Sequence, residues 1–119
     1  MPMKGKKVVL TAEHLNCGKH TIYDWQKTKF TLFEDGTLQS VVFAGGTIVA
    51  HKRIISNDDL MFIKDNIRSF ISRTPELDVY DGDGWIFEGP DYTYDFGYVY
   101  GTDLEKIVKI IDQEIEVTL

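Results

Sequence analysis

The sequence predicts an α+β domain: an antiparallel sheet of about five or six strands, made of an N-terminal meander and a C-terminal hairpin, with two amphipathic helices packed on one face. Three observations carry this. The first 55 residues alternate β-branched and aromatic side chains around two glycine-containing turns, Asp35-Gly36 and Gly45-Gly46. Two later stretches place apolar residues at helical spacing, and a second aromatic, alternating stretch lies between them. The order is strands, helix, hairpin, helix, which suits a sheet with helices segregated to one side.

The first strand falls in KKVVLTAE, residues 6–13. The next runs through residues 21–33 into Asp35-Gly36, a strong hairpin signal. With those two residues as the loop, Phe33 faces Leu38 and Phe30 faces Val41, so that Phe30, Leu32, Val41 and Phe43 share one face. Gly45-Gly46 then pairs Phe43 with Ile48 and Val41 with Ala50 on that same face, completing a three-stranded meander.

Beyond Ile55 the period changes. Ser56 is placed to cap a helix with Asp59 at N3, and Leu60, Ile63, Ile67, Phe70 and Ile71 follow on one stripe before Thr74-Pro75 ends it. A second helix opens with the capping-box pattern Thr102-Asp-Leu-Glu105 and carries Leu104, Ile107, Val108, Ile111 and Ile115.

Between the helices, WIFE and YTYDFGYVYG form a hairpin across Gly89-Pro90-Asp91. An even-numbered loop pairs Phe87 with Tyr92 and Trp85 with Tyr94, and gathers Trp85, Phe87, Tyr92, Tyr94, Phe96, Tyr98 and Tyr100 on one face. That stripe reads as a core strand whose ends, Tyr92 and Tyr100, are wet, because a buried phenol needs a partner. Gly97 marks a bulge or a close approach.

The chain of 119 residues, 43% apolar and 13% aromatic, fits one domain over residues 1–119 with a single core. Nineteen acidic against thirteen basic residues give a formal charge of −6, which disfavours nucleic acid as a partner and favours basic or neutral ones. One cysteine, Cys17, excludes an intramolecular disulfide, and Val8-Val9-Leu10 is too short for a signal-peptide core. No stretch approaches the roughly twenty apolar residues of a membrane span, so the expectation is a cytoplasmic protein without membrane or nucleic-acid contacts.

Few patterns point to chemistry. His14, Cys17 and His20, at a spacing of three, are a candidate zinc set or, less naturally, a Cys-His nucleophile; on an extended strand that spacing sends neighbours to opposite faces, so only a loop or helical turn brings them together. Asp78, Asp81 and Asp83 around Gly82 and Gly84 do not make an EF-hand: with Gly84 at the sixth position, Val79 and Pro90 fall where the terminal ligands belong. Asp81, Asp83, Glu88, Asp91 and Asp95 near aromatic rings are glycosidase-like in composition, but the chain offers little depth for a cleft. Phosphate-loop, GxSxG, HExxH and GxGxxG patterns are absent from the sequence.

The leading expectation is therefore a non-enzymatic binding or regulatory module without a cofactor, acting through protein contacts. One version uses Glu76, Asp78, Asp81, Asp83 and Asp91, with Tyr92 and Tyr100, to meet a basic partner. The open face of the sheet is the second candidate contact, for a partner or a second copy. The competing expectations are a metal sensor or small enzyme at His14, Cys17 and His20, and a small-ligand pocket between helices and sheet fixed by tyrosine hydroxyls.

Overall fold

Residues 7–16, 26–44, 46–74, 83–97 and 99–112 are described by a computed structural model, in which they form six strands and two helices. The strands are β1 (Val8–Asn16), β2 (Gln26–Phe33), β3 (Thr37–Ala44), β4 (Thr47–Ile54), β5 (Asp83–Glu88) and β6 (Thr93–Gly97); the helices are α1 (Asn57–Arg73) and α2 (Leu104–Ile111). All six strands join one antiparallel sheet in the order β4-β3-β2-β1-β5-β6. The α+β class, the meander and the C-terminal hairpin follow the sequence expectation.

Cross-strand rows show where the core sits. One row runs Arg53, Leu38, Leu32, Leu10; the next runs His51, Ser40, Phe30, Ala12, Phe87, Tyr94; a third runs Val49, Val42, Thr28, His14, Trp85, Gly97. Residues of this core face on β1, β2, β5 and β6 are buried except the half-buried His14, those on β3 are buried or half-buried, and His51 and Val49 on β4 are exposed. Leu60, Ile63, Ile67 and Phe70 of α1 and Leu104, Ile107, Val108 and Ile111 of α2 join the same hydrophobic cluster as Leu10, Leu32, Trp85 and Phe87.

At the centre of that cluster Trp85 is fully buried. Its ring stacks on His14 at 4.5 Å, on Phe30 at 5.7 Å and on Phe87 at 5.8 Å, all within 16° of parallel. Offset stacking of this kind adds to the area term. The indole N–H is satisfied by the Tyr100 hydroxyl at 3.3 Å.

Two registers differ from the sequence expectation. Leu32 pairs with Leu38 and Phe30 with Ser40, so the β2–β3 loop is the three residues 34–36. Gly36 takes a φ of 88°, its N–H donates to Phe33 C=O at 2.9 Å, and the Asp35 carboxylate accepts from Thr37 N–H at 2.9 Å. A three-residue loop closed by a left-handed glycine shifts the register by one, and a one-residue shift turns every following side chain over. Leu38 thereby joins Leu10 and Leu32 inside, while Val41 and Phe43 move to the second face. The β3–β4 pairs Phe43–Ile48 and Val41–Ala50 are as expected.

In the second hairpin the loop is even-numbered but longer, residues 89–92, so Phe87 pairs with Tyr94 and Glu88 with Thr93. A bulge then sets Trp85 opposite Gly97. The cause lies in two close approaches: a Cβ on Gly89 would sit 2.0 Å from the Tyr92 ring, and one on Gly97 would sit 2.3 Å from the Tyr94 hydroxyl. The bulge breaks the period of two, so the expected stripe of seven rings does not form as a single row. Trp85, Phe87 and Tyr94 line the core face, and Tyr92 and Tyr100 are half-buried at the ends; the Phe96 side chain and Tyr98 lie outside the described residues.

The α1 cap forms as expected, with Ser56 Oγ accepting from Asp59 N–H at 3.1 Å. The α2 capping box does not. Asp103 occupies the N-cap position, the Thr102 hydroxyl turns back to Val99 C=O, and Glu105 reaches Gly101 N–H at 3.3 Å instead of the Thr102 N–H. At its other end α2 is held by Arg53 of β4, whose guanidinium donates to the carbonyls of Ile110 and, at 3.2 Å, Ile111. Charge-assisted bonds to helix C-terminal carbonyls satisfy groups that the helix cannot pair itself. Arg53→Ala is expected to cost about 1–2 kcal/mol in urea denaturation, with Arg53→Lys restoring only part, because an ammonium lacks the planar fork.

Candidate functional site

Of the acidic set, Asp91 is the one whose side-chain surroundings the structure describes. It stands in the β5–β6 loop and is gripped by Arg68 of α1: Nε lies 2.8 and 3.0 Å from the two carboxylate oxygens and a terminal nitrogen lies 2.7 Å from one of them. Both side chains are more than half exposed, so the pair is a surface one and contributes little to stability. It does commit Asp91 to a cation of its own chain. Asp83 begins β5 opposite Asn16; Glu76, Asp78 and Asp81 lie outside the described residues.

Tyr92 forms the floor of a small groove beside that pair. β1 carries a bulge at Val9, and the Tyr92 hydroxyl donates to the Val9 carbonyl at 2.8 Å. Arg68 lies over the ring at 5.4 Å. The groove, about 120 Å³, is walled by Val8, Glu34, Lys64, Ile67 and Pro90. That is well under the ~300 Å³ at which small-molecule pockets begin, and it matches a single side chain better than a metabolite. The tyrosine hydroxyls expected to fix a ligand are engaged within the protein, Tyr92 on Val9 and Tyr100 under the Trp85 N–H.

Burial pushes the Tyr92 phenol up from 10.0 to about 12, with Arg68 opposing and Asp91 reinforcing the shift. A phenol with a raised folded-state pKa contributes its full stability below 10.0 and loses it as pH climbs toward 12, because the unfolded chain ionises first. The urea midpoint is therefore expected to fall across that window in wild type and to fall less in Tyr92→Phe. An equal slope in both proteins would contradict the assignment.

His14 of the proposed metal set sits on the core face of β1, half-buried and stacked flat on Trp85. This gives it a packing role in the aromatic row. Cys17 and His20 lie outside the described residues, so the convergence of the three does too. No described helix is long and apolar enough to cross a membrane.

A different surface lies at the other end of the sheet, on an edge strand whose residues the sequence reading did not name when it proposed the open sheet face as a contact. On β4, Ile48 is 66% exposed, Val49 43% and Ile54 76%, and the only residue of the strand that is not exposed is Arg53. Ile48 and Ile54 share the second face with Ala50, Lys52, Val41 and Phe43, and Val49 lies on the core face. The strands β2, β3 and β4 carry Lys27, Lys29, His51, Lys52 and Arg53 and not one carboxylate, in a chain of net charge −6. Lys27 pairs with Glu13 of β1 at 3.0 Å, so the second face is compensated toward β1 and basic toward β4. The signal was present in the sequence as TIVAHKRI, a strand apolar on both faces with its charges all of one sign. The expected register set Ile48 and Ala50 on the face of Phe30 and Leu32, and the observed one sets them on the opposite face.

Comparison with protein-family models, with curated proteins and with solved structures returned no match.

Proposed function

We propose that the protein is a non-enzymatic binding module that acts through protein contacts made by the β3–β4 end of its sheet. On this reading both helices cover the core face over β1, β2, β5 and β6 and leave the second face open, together with β4 apart from Arg53, which is tied to the end of α2. The exposure of Ile48, Val49 and Ile54 on one edge strand carries the reading. Burying them against a partner would release apolar surface from water at about 25 cal/mol per Å², and three large apolar side chains exposed along a single unpaired edge strand are what an added partner strand would cover. The local charge inverts the expectation drawn from the whole chain. A net charge of −6 favours basic partners, but the surface that is apolar enough to bind carries Lys29, His51 and Lys52, and so favours an acidic one.

The test is affinity capture by the immobilised full chain at low salt, with elution at high salt, compared with the double variant Ile48→Ser/Ile54→Ser. Both side chains are exposed, so melting temperature should hold within the few degrees typical of surface changes. A protein retained by wild type and lost by the variant supports the reading. Retention by the variant, together with loss in Arg68→Ala, would move the site to the Tyr92 groove.

A further inference from the structure

Resting on the proposal that β4 is the contact strand, we propose that it takes up an extended, acidic segment of a partner protein as a seventh strand of the sheet. The backbone geometry sets which groups are on offer. Ile55 N–H donates to Gly36 C=O at 3.0 Å, which fixes the alternation of the β3–β4 ladder. Counting back along the unbroken register, Arg53, His51, Val49 and Thr47 direct their backbone groups toward β3. Ile48, Ala50, Lys52 and Ile54 therefore direct theirs outward, and β4 has no further strand beside it among the described residues. An edge of eight residues supplies outward N–H and C=O groups from four of them.

Proteins protect such edges with proline, bulges, covering loops or inward charges. β4 has no proline, and its pairing with β3 shows no register shift. What it has is charge. His51, Lys52 and Arg53 are consecutive, so two-fold pairing of β4 with its copy would bring two basic triplets together, with no carboxylate on β2, β3 or β4 to offset them. The same feature that opposes a second copy attracts an acidic strand. Two consecutive glutamates in the middle of an added strand would meet Lys52 on the second face and His51 on the core face, while apolar residues toward its ends would cover Ile48, Ile54 and Val49. Main-chain bonds would supply affinity and these side chains specificity, as in other strand-addition complexes.

The experiment titrates the isotope-labelled full chain with a peptide of about eight residues whose central pair of glutamates is flanked by valines, and with its lysine-for-glutamate counterpart. The glutamate peptide is expected to bind, more weakly as salt rises, and to slow amide exchange at Ile48, Ala50, Lys52 and Ile54 while leaving Val49, His51 and Arg53, already bonded to β3, unchanged. Lys52→Glu is expected to weaken it about tenfold, near 1.4 kcal/mol, and to favour the lysine peptide instead. Ala50→Pro removes an outward N–H that β3 does not use, so it should block strand addition with the fold intact.

Equal binding of both peptides, protection confined to other strands, or no binding at about millimolar peptide would overturn the proposal. So would a dimer of the full chain that Ala50→Pro converts to monomer, since a second copy would then hold the edge. If the partner captured through Ile48 and Ile54 persists while the peptide fails, strand addition alone is wrong. If capture fails as well, the contact surface itself is wrong.

Discussion

Trp85→Ala is expected to destabilise the protein by about 3–5 kcal/mol. The ring is fully buried and stacked against three others, and its N–H bonds the Tyr100 hydroxyl. Truncation leaves a cavity in the middle of a row that spans β2, β1 and β5, and that row cannot collapse without moving the strands that carry it. For a domain of this size the loss is about a fifth or more of the whole stability, which is typically about 5–15 kcal/mol. Urea denaturation followed by circular dichroism measures it directly. Trp85→Phe should cost less, because it keeps the stack and gives up only the outer ring and the Tyr100 bond. A change below about 1 kcal/mol for the alanine variant would mean that Trp85 is not the centre of the core.

The second large effect is expected from the smallest substitution. Gly97→Ala places a methyl group where the Tyr94 hydroxyl already sits, 2.3 Å from its oxygen. Tyr94 is buried to within 1% of full and cannot swing aside, so the strain must be taken up by the bulge itself. Overpacking of this kind costs about 1–3 kcal/mol, and the position favours the upper end because the obstacle is a rigid ring. Removing the hydroxyl relieves the nearest contact but leaves the ring carbon at 2.9 Å. Gly97→Ala should therefore cost less in a Tyr94→Phe background, and a double-mutant cycle should show coupling of about 1 kcal/mol. Additive costs would show that the two groups do not compete for the same space.

Element type was legible in the sequence because each segment carried its own period: Leu60 to Phe70 and Leu104 to Ile111 at helical spacing, and the strands in alternation. Register was less legible, and in both hairpins for the same physical reason. Loop length in a hairpin is set by how backbone groups close, and a glycine such as Gly36 serves a three-residue loop as readily as a two-residue one. Only the choice between burying Leu38 and burying Val41 decides it, and that choice depends on which neighbour lies across the next strand. At Gly97 the sequence did carry a usable mark, a lone glycine among large side chains, and the bulge is there. The rings around it were assigned to one face because a strict period of two was extended through a position that breaks it.

The open sheet face was legible as a candidate contact, but its residues were not. The expected register set Val41, Phe43, Ile48 and Ala50 beside Phe30 and Leu32, whereas the observed one sets them on the opposite face. Asp91, one of the candidate carboxylates, turned out to belong to Arg68. The wet ends expected of the tyrosine strand, Tyr92 and Tyr100, are half-buried as anticipated, but their hydroxyls serve Val9 and Trp85. They brace the hairpin against β1 and the core.

A partner can reach β4 only if the strand is open to solvent in the free protein. Paramagnetic relaxation by a neutral, soluble probe, read at the methyl groups of the full chain, measures that openness residue by residue. Ile48, Val49 and Ile54 are expected to relax strongly, at least several-fold faster than the buried Ile63 and Ile107, and to lose that excess when the acidic peptide is added. Relaxation of Ile48 and Ile54 as slow as that of Ile63 in the free chain would contradict the account, because the surface proposed for a partner would already be covered.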